Sequence, residues 1–414
     1  MTFAATQPDR HLRTDTVIAG GLIILQILFF FDSSALLSFL NDEIKNLITL
    51  AVLAGIGVLC SLKLQGRGAQ TWDRRLTPLL LFVLVYAVSL LYQTDTGLPE
   101  YYYGKLNKLL FITLPTVLAV NVVHWTPELL KRTIRLLSAA LFIVTLDGFY
   151  QLLRSGSFVS RDESFGIDPI SLGRSAGFCV LYAFLILSAR RGTSWKHLLL
   201  PALLLLAGFG GMFASGSRGP LIALSVTLLG LFVWERSLAR RFRVVILALL
   251  ALVMGSLTAS YLTQNGVASS ARVLAFLQGD VNVDRSAQTR SFVYEDALRW
   301  ITQHPLGSGQ AASDVYVPNG LRYPHNLLLE VQLEGGIICT LLFVAAVALA
   351  YRNATRNTGN LTRILILSAL TYFFVNSMFS GDMSSNRLLF LLLALAAVMP
   401  RATTLGGVTR EVSP

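Results

Sequence analysis

Just after a lone histidine, the stretch VPNGLRYPHNLLLEVQLEGGI (residues 317–337) carries Asn326, Glu330 and Glu334 at intervals of four. That spacing sets all three side chains on one face of a helix over its first two turns. In an apolar helix such a face should turn to the bundle interior or to a wet cavity, not to lipid. His325 stands at its rim, and an unperturbed imidazole is largely neutral at pH 7 and can take up a proton. General-base work suits that histidine. Helix capping and interhelical hydrogen bonds suit Asn326 and the glutamates equally well.

A second constellation is cationic. FASGSRGPLIAL places Arg218 just before Gly219 and Pro220, and proline suits a first helical turn, where its missing N–H is no loss. The start of that helix offers free N–H groups and a positive dipole end beside a guanidinium, which favours a phosphate. The same arginine in a tight hairpin would snorkel to lipid headgroups, and the motif alone leaves both readings open. Arg290 stands in TRSFVYEDALRWITQ, where a solvated surface charge is the default. Arg161, in SRDESFG, either joins the outward cationic cluster or pairs locally with Asp162 and Glu163. Lys105 follows Tyr101, Tyr102 and Tyr103 in a stretch that seats either sugar and phosphate or a membrane anchor, and the anchor is favoured for the tyrosines. Asp382 lies in the turn FSGDMSSNR.

These residues must be held by an apolar scaffold. Of 414 residues, 54% are hydrophobic and 14% charged, and mean hydropathy is +0.61; a soluble domain carries roughly 25% charged residues. Twelve runs approach the length of a bilayer span, about 20 apolar residues: 15–31, 46–62, 77–92, 108–123, 134–153, 171–188, 197–214, 220–234, 244–263, 327–350, 364–379 and 387–400. The fold class expected is an all-α polytopic membrane protein with about twelve transmembrane helices. The first run lacks a small-residue cleavage site, so it is expected to be a span and not a removed leader. The chain divides into spans 1–9 (residues 1–263), a large outer loop (264–326), spans 10–12 (327–400) and an inner tail (401–414).

The formal charge of +11 fits this topology better than nucleic acid. With the N-terminus inside, most Lys and Arg residues fall in inner turns such as ARRGTSWK and ERSLARRFR, as positive-inside orientation requires. Cys60, Cys179 and Cys339 all fall in spans without disulfide or metal spacing and are expected to be small buried hydrophobes. Three outer loops stand out: 93–107, 154–170 and 264–326. The last is far longer than a plain connection and is expected to do work. Phe292, Val293, Ala297, Leu298, Trp300 and Ile301 recur at helical spacing within it, predicting an amphipathic helix of about four turns, near the membrane surface or packed as a lid. A shorter apolar piece, ARVLAFLQG, precedes it.

No G-x-S-x-G elbow, Walker glycine pattern, dinucleotide fingerprint or His/Cys metal spacing is present. Charges buried mid-span, which a proton- or ion-coupled carrier would keep, are not expected; Asp147 comes closest. A transporter or flippase is the rival class.

SGSRG after a mid-chain span, TRSFVYEDALRWITQHPLGSG in a large outer loop and HNLLLEVQLEGGI entering the next span together resemble the O-antigen ligase and polymerase family. The motifs cover about residues 205–340; the flanking spans match in number and hydrophobicity. The resemblance implies a glycosyltransferase at the periplasmic face of the bacterial inner membrane. Its donor would be a glycan on undecaprenyl pyrophosphate and its acceptor, in the ligases, a hydroxyl of lipid A-core. Such a ligase would need no cofactor and no metal, would invert the anomeric centre, and would have membrane lipids, not nucleic acid, as further partners. Arg218 and Arg290 match the family's outer arginines and His325 its loop-end histidine, so these are the expected catalytic groups. Arg161, Lys105, Asn326, Glu330 and Asp382 are the expected substrate-binding set. A polymerase or a protein O-oligosaccharyltransferase would share this chemistry with another acceptor.

Overall fold

The computed structural model describes residues 8–28, 42–66, 72–92, 98–155, 169–189, 199–234, 285–356 and 361–400, with scattered residues between 241 and 264. Arg161, the piece ARVLAFLQG and most of the ninth expected span lie outside the described residues. Every regular element described is helical: α1 (Pro8–Ile27), α2 (Asp42–Gly66), α3 (Thr77–Leu91), α4 (Pro99–Lys108), α5 (Leu114–Val122), α6 (Pro127–Ser155), α7 (Pro169–Ala189), α8 (Leu199–Ala214), α9 (Arg218–Trp234), α10 (Arg285–Gln303), α11 (Leu327–Thr355), α12 (Leu361–Ser377) and α13 (Arg387–Val398), with short 3₁₀ and single-turn pieces between. Among the described residues, five helical stretches are long and apolar enough to cross a membrane, and α8, α9, α12 and α13 are shorter apolar helices. The chain is an all-α polytopic membrane protein.

The core is built where helices turn away from lipid. α7 packs along α8 and α6, α11 along α3 and α13, and α12 along α9. Leu22, Phe82, Phe178, Phe343 and Phe390 are buried in this core, whereas Leu47, Leu50, Val88 and Leu229 point outward and stay exposed, as lipid-facing positions must. Cys179 and Cys339 are buried and Cys60 is half-buried.

The structure departs from the sequence reading in two places. Residues 99–107 are not a loop. Pro99 opens α4, and one π-helical turn, Leu109–Thr113, joins it to α5. Pro115 lacks an N–H, so a wider turn before it carries the helix onward without an orphaned carbonyl. Tyr101 and Tyr102 consequently face the protein, and only Tyr103 is exposed. Second, the core does hold charges: Asp15 with Lys63, Asp147, and Arg174 near the start of α7 are all buried. Of the two settings expected for α10, the helix takes the packed one. Its Val293 and Ala297 close a small separate core with Ala312, Val315, Tyr316 and Leu333, leaving Phe292 and Leu298 exposed. It is a lid packed on the bundle.

How α10 is fastened explains the glycine pair in LEGGI. Gly336 interrupts α11 with φ 72° and ψ −171°. The break separates Ile337 N–H from Leu333 carbonyl, the groups that would bond in an unbroken helix. The loop after α10 satisfies both: Ile337 N donates to Pro305 O at 2.9 Å, and Ser308 N donates to Leu333 O at 2.8 Å. A helix kink thus becomes a socket for the outer loop. Only glycine adopts that φ without strain, and a Cβ at Gly336 would collide with the backbone of Leu306 and Gly307. Gly336→Ala is therefore expected to destabilise the fold by about 1–3 kcal/mol from backbone strain alone. Thermal unfolding of the purified variant checks this, and an unchanged Tm would contradict it.

Candidate functional site

The first two turns of α11, up to the kink, carry the polar face read from the sequence. Asn326 caps the helix, its side-chain oxygen accepting from Leu328 N at 3.0 Å and Leu329 N at 3.2 Å. Glu330 and Glu334 face inward as expected, but they line no wet cavity: both are 0% exposed. Lys105 fills the space between them. Its Nζ donates to Glu330 Oε1 at 2.6 Å and to Glu334 Oε1 and Oε2 at 2.7 and 2.9 Å. The ammonium also lies 4.9 Å from the Tyr101 ring centroid and 5.3 Å from that of Tyr102.

The remaining carboxylate lone pairs are used as well. Glu330 accepts from Met383 N at 3.0 Å with both oxygens, and Glu334 accepts from the hydroxyls of Tyr86 and Tyr316. Tyr102 and Tyr316 hydroxyls bond each other. Burial, reinforced by the Glu334 charge, pushes the Tyr316 phenol well above its usual value, so it remains a donor. Two buried carboxylates and one ammonium are stable only with such full satisfaction. The cluster ties α4 to α11 and α11 to the turn before α13.

That turn, residues 376–386, is the meeting point of the site. Tyr101 donates to Asp382 Oδ2 at 3.0 Å, and Asp382 accepts from Ser385 N at 2.8 Å and from Ser384 Oγ. Burial acts to raise the Asp382 carboxyl, but the Lys105 ammonium and the Ser385 and Ser384 hydrogen bonds outweigh it and hold it below the ordinary carboxylate value. A depressed folded value contributes stability that is complete above the unfolded value and fades as pH falls through the folded one. The stability gap between wild type and Asp382→Asn is thus expected to be full near neutrality and to close in acid, read from Tm in a pH series. A gap that widens in acid would contradict this.

The expected catalytic groups approach the same turn. Arg290 Nη1 donates to Phe379 O at 3.0 Å. Gly219, next to Arg218 at the start of α9, abuts Phe379, whose Cβ would lie 3.2 Å from a Cβ placed on that glycine. One helical turn beyond Arg290, Tyr294 comes within interaction range of the Asn326 side chain. His325 precedes that cap with φ 56°, the one described non-glycine residue with positive φ, and its ring lies 4.3 Å from that of Tyr323. Strain of this kind concentrates at functional positions. Arg218, His325 and Arg290 are each partly exposed at this end of the bundle. Arg218, Arg290, His325, Asn326 and Asp382 therefore sit on contiguous elements, while Lys105 and Glu330 form the buried layer beneath.

Sequence reasoning missed Arg174. It is 3% exposed, and its Nη2 donates to the Ser380 carbonyl and approaches the Ser380 hydroxyl at 3.4 Å. Gly381 makes room for it: φ is 75°, and a Cβ there would meet the guanidinium. Gly173, its neighbour, packs against Ser215, Ser217 and Pro220 of the α8–α9 turn. The signal was an arginine inside ISLGRSAGF, an apolar run in which a cation is expensive without a purpose. Among the described residues, no group of three or more His, Cys, Asp or Glu is disposed to hold a metal ion.

Comparison with known proteins places this site in context. Residues 202–344 match the O-antigen ligase family. Over 161 residues the chain is 35% identical to an O-antigen ligase of Pseudomonas aeruginosa, a match covering 37% of this chain and 35% of that relative. The match thus spans about a third of the curated relative's length. The matched segment contains Arg218, Arg290, His325, Asn326, Glu330 and the Gly336 kink.

Proposed function

We propose that the protein, whose residues 202–344 match the O-antigen ligase family, transfers a glycan from a lipid diphosphate to an acceptor hydroxyl. The expected donor is O-antigen on undecaprenyl pyrophosphate, the expected acceptor lipid A-core, and the expected location the periplasmic face of the bacterial inner membrane. The observation that carries the reading is that the α9 N-terminus and Arg290 both meet Phe379, while α11, which His325 and Asn326 lead into, reaches the same turn through Glu330 and Met383 N.

In the proposed step the acceptor oxygen attacks C1 of the donor sugar from the face opposite the diphosphate. His325 takes the hydroxyl proton as the new C1–O bond forms. The old C1–O bond breaks, its electron pair staying with the lipid diphosphate, which leaves with one more negative charge. Arg218, Arg290 and the helix N-terminus stabilise that charge, and preorganised cations in a site shielded from water do this without reorganisation. Arg174, reaching Ser380 from beneath, is assigned to positioning the turn that Arg290 also grips. Lys105 and Glu330, both committed to the buried cluster, are assigned to positioning instead of to direct substrate contact.

Arginine forks can hold two phosphate oxygens at once, and a lysine point charge cannot copy that. Arg218→Lys and Arg290→Lys are each expected to lower turnover by at least about tenfold, the rate equivalent of roughly 1.4 kcal/mol of lost transition-state binding. A purified transfer assay with lipid-diphosphate donor checks this; near wild-type turnover in both variants would exclude the arginine clamp. Offering separate acceptors in that assay distinguishes a ligase from a polymerase or a protein oligosaccharyltransferase, which would use the same site.

A further inference from the structure

At the end of the bundle away from the candidate site, α6, α7, α8 and α12 enclose a groove of about 670 Å³. Opposite ends of the same helices serve the two places. α7 gives Arg174 to the site and Tyr182 to the groove, and α8 ends at the site but begins at the groove with Leu200 and Leu204. The charged residues of the groove, Lys131 and Arg135, stand at one end, its mouth, and the Ser138 hydroxyl deeper along α6 is spent on the Ile134 carbonyl. The walls beyond are Phe142 and Ile143 of α6, Leu204 of α8 and Leu365 of α12. Tyr182 lines the groove within electrostatic reach of Arg135. The acid nearby is Glu128, 71% exposed and 4.0 Å from Lys131, so solvent screens it.

From Lys131 to Ile143, α6 rises about 18 Å. One leaflet of hydrocarbon is about 15 Å, half of a core roughly 30 Å thick. Length, apolar walls and a cationic mouth match one lipid of a single leaflet. We propose that the groove binds an anionic phospholipid, its phosphodiester on Lys131 and Arg135 and one acyl chain between α6, α8 and α12. The paired cations favour a net-negative headgroup over a zwitterionic one, and the basic start of α6, with Lys131, Arg132 and Arg135, is where the charge distribution along the chain places the inner leaflet.

The test needs no transferase activity. Purified protein, stripped of lipid in detergent, is melted with phosphatidylglycerol or with phosphatidylcholine. Phosphatidylglycerol should raise Tm by several degrees more than phosphatidylcholine. K131Q/R135Q, both positions exposed enough to leave the fold intact, should erase that difference without changing Tm in bare detergent. Ala139→Trp, at an exposed groove position, should weaken the response to both lipids by occupying the space for the chain. Equal shifts with the two lipids would overturn the proposal. So would a full phosphatidylglycerol effect in K131Q/R135Q, or the same shift from glycerol 3-phosphate alone.

Discussion

His325→Ala is expected to reduce transfer by about 10²–10⁴-fold, the range general acid–base groups supply, while the bundle keeps its stability. Two features separate chemistry from folding here. The imidazole is only partly buried at the loop end, so its loss opens no core cavity. The cap that starts α11 belongs to Asn326, which is untouched. The positive φ at His325 sharpens the prediction. A left-handed backbone disfavours residues with a Cβ, so relief of that strain gives His325→Gly a fold at least as stable, with activity equally lost. A purified assay beside a melting curve reads both quantities. Turnover near wild type in either variant would remove His325 as the base.

Lys105 should behave in the opposite way. Lys105→Met leaves Glu330 and Glu334 buried and facing each other with no cation, and removing one partner of a buried pair costs about 3–5 kcal/mol. The expected result is a large fall in Tm, with turnover lost because α4, α11 and the 376–386 turn no longer hold their places. Adding Glu334→Gln removes one of the stranded charges and should recover part of the stability, since residues of one network couple strongly. If Lys105→Met instead kept its Tm and lost only affinity for donor, the ammonium would be a phosphate ligand and not the centre of a scaffold.

The contrast between these residues shows what was legible in the chain. Periodicity and hydropathy sufficed for most of the described helices, α4 excepted, because lipid forces every backbone group to be satisfied within its own segment. The interval of four from Asn326 to Glu334 correctly indicated an inward face. What filled that face was not legible, because Lys105 lies more than two hundred residues away in sequence and its stretch reads as a tyrosine-rich loop. The two glycines in LEGGI likewise read as an ordinary apolar helix until the loop at Pro305–Ser308 is seen to occupy the broken hydrogen bond. Arg174 was not legible as part of the site because its partner, Ser380, is again distant in sequence.

The proposal divides labour between arginines that hold the leaving diphosphate and a histidine that handles the acceptor proton. The dissociation constant of the lipid-diphosphate donor, measured on purified wild type, His325→Ala and Arg290→Lys proteins, tests that division directly. His325→Ala should bind donor as tightly as wild type although it cannot turn over, and Arg290→Lys should bind at least several-fold more weakly. Equal affinity for Arg290→Lys and wild type, with donor binding lost in His325→Ala, would reverse the roles and contradict the mechanism.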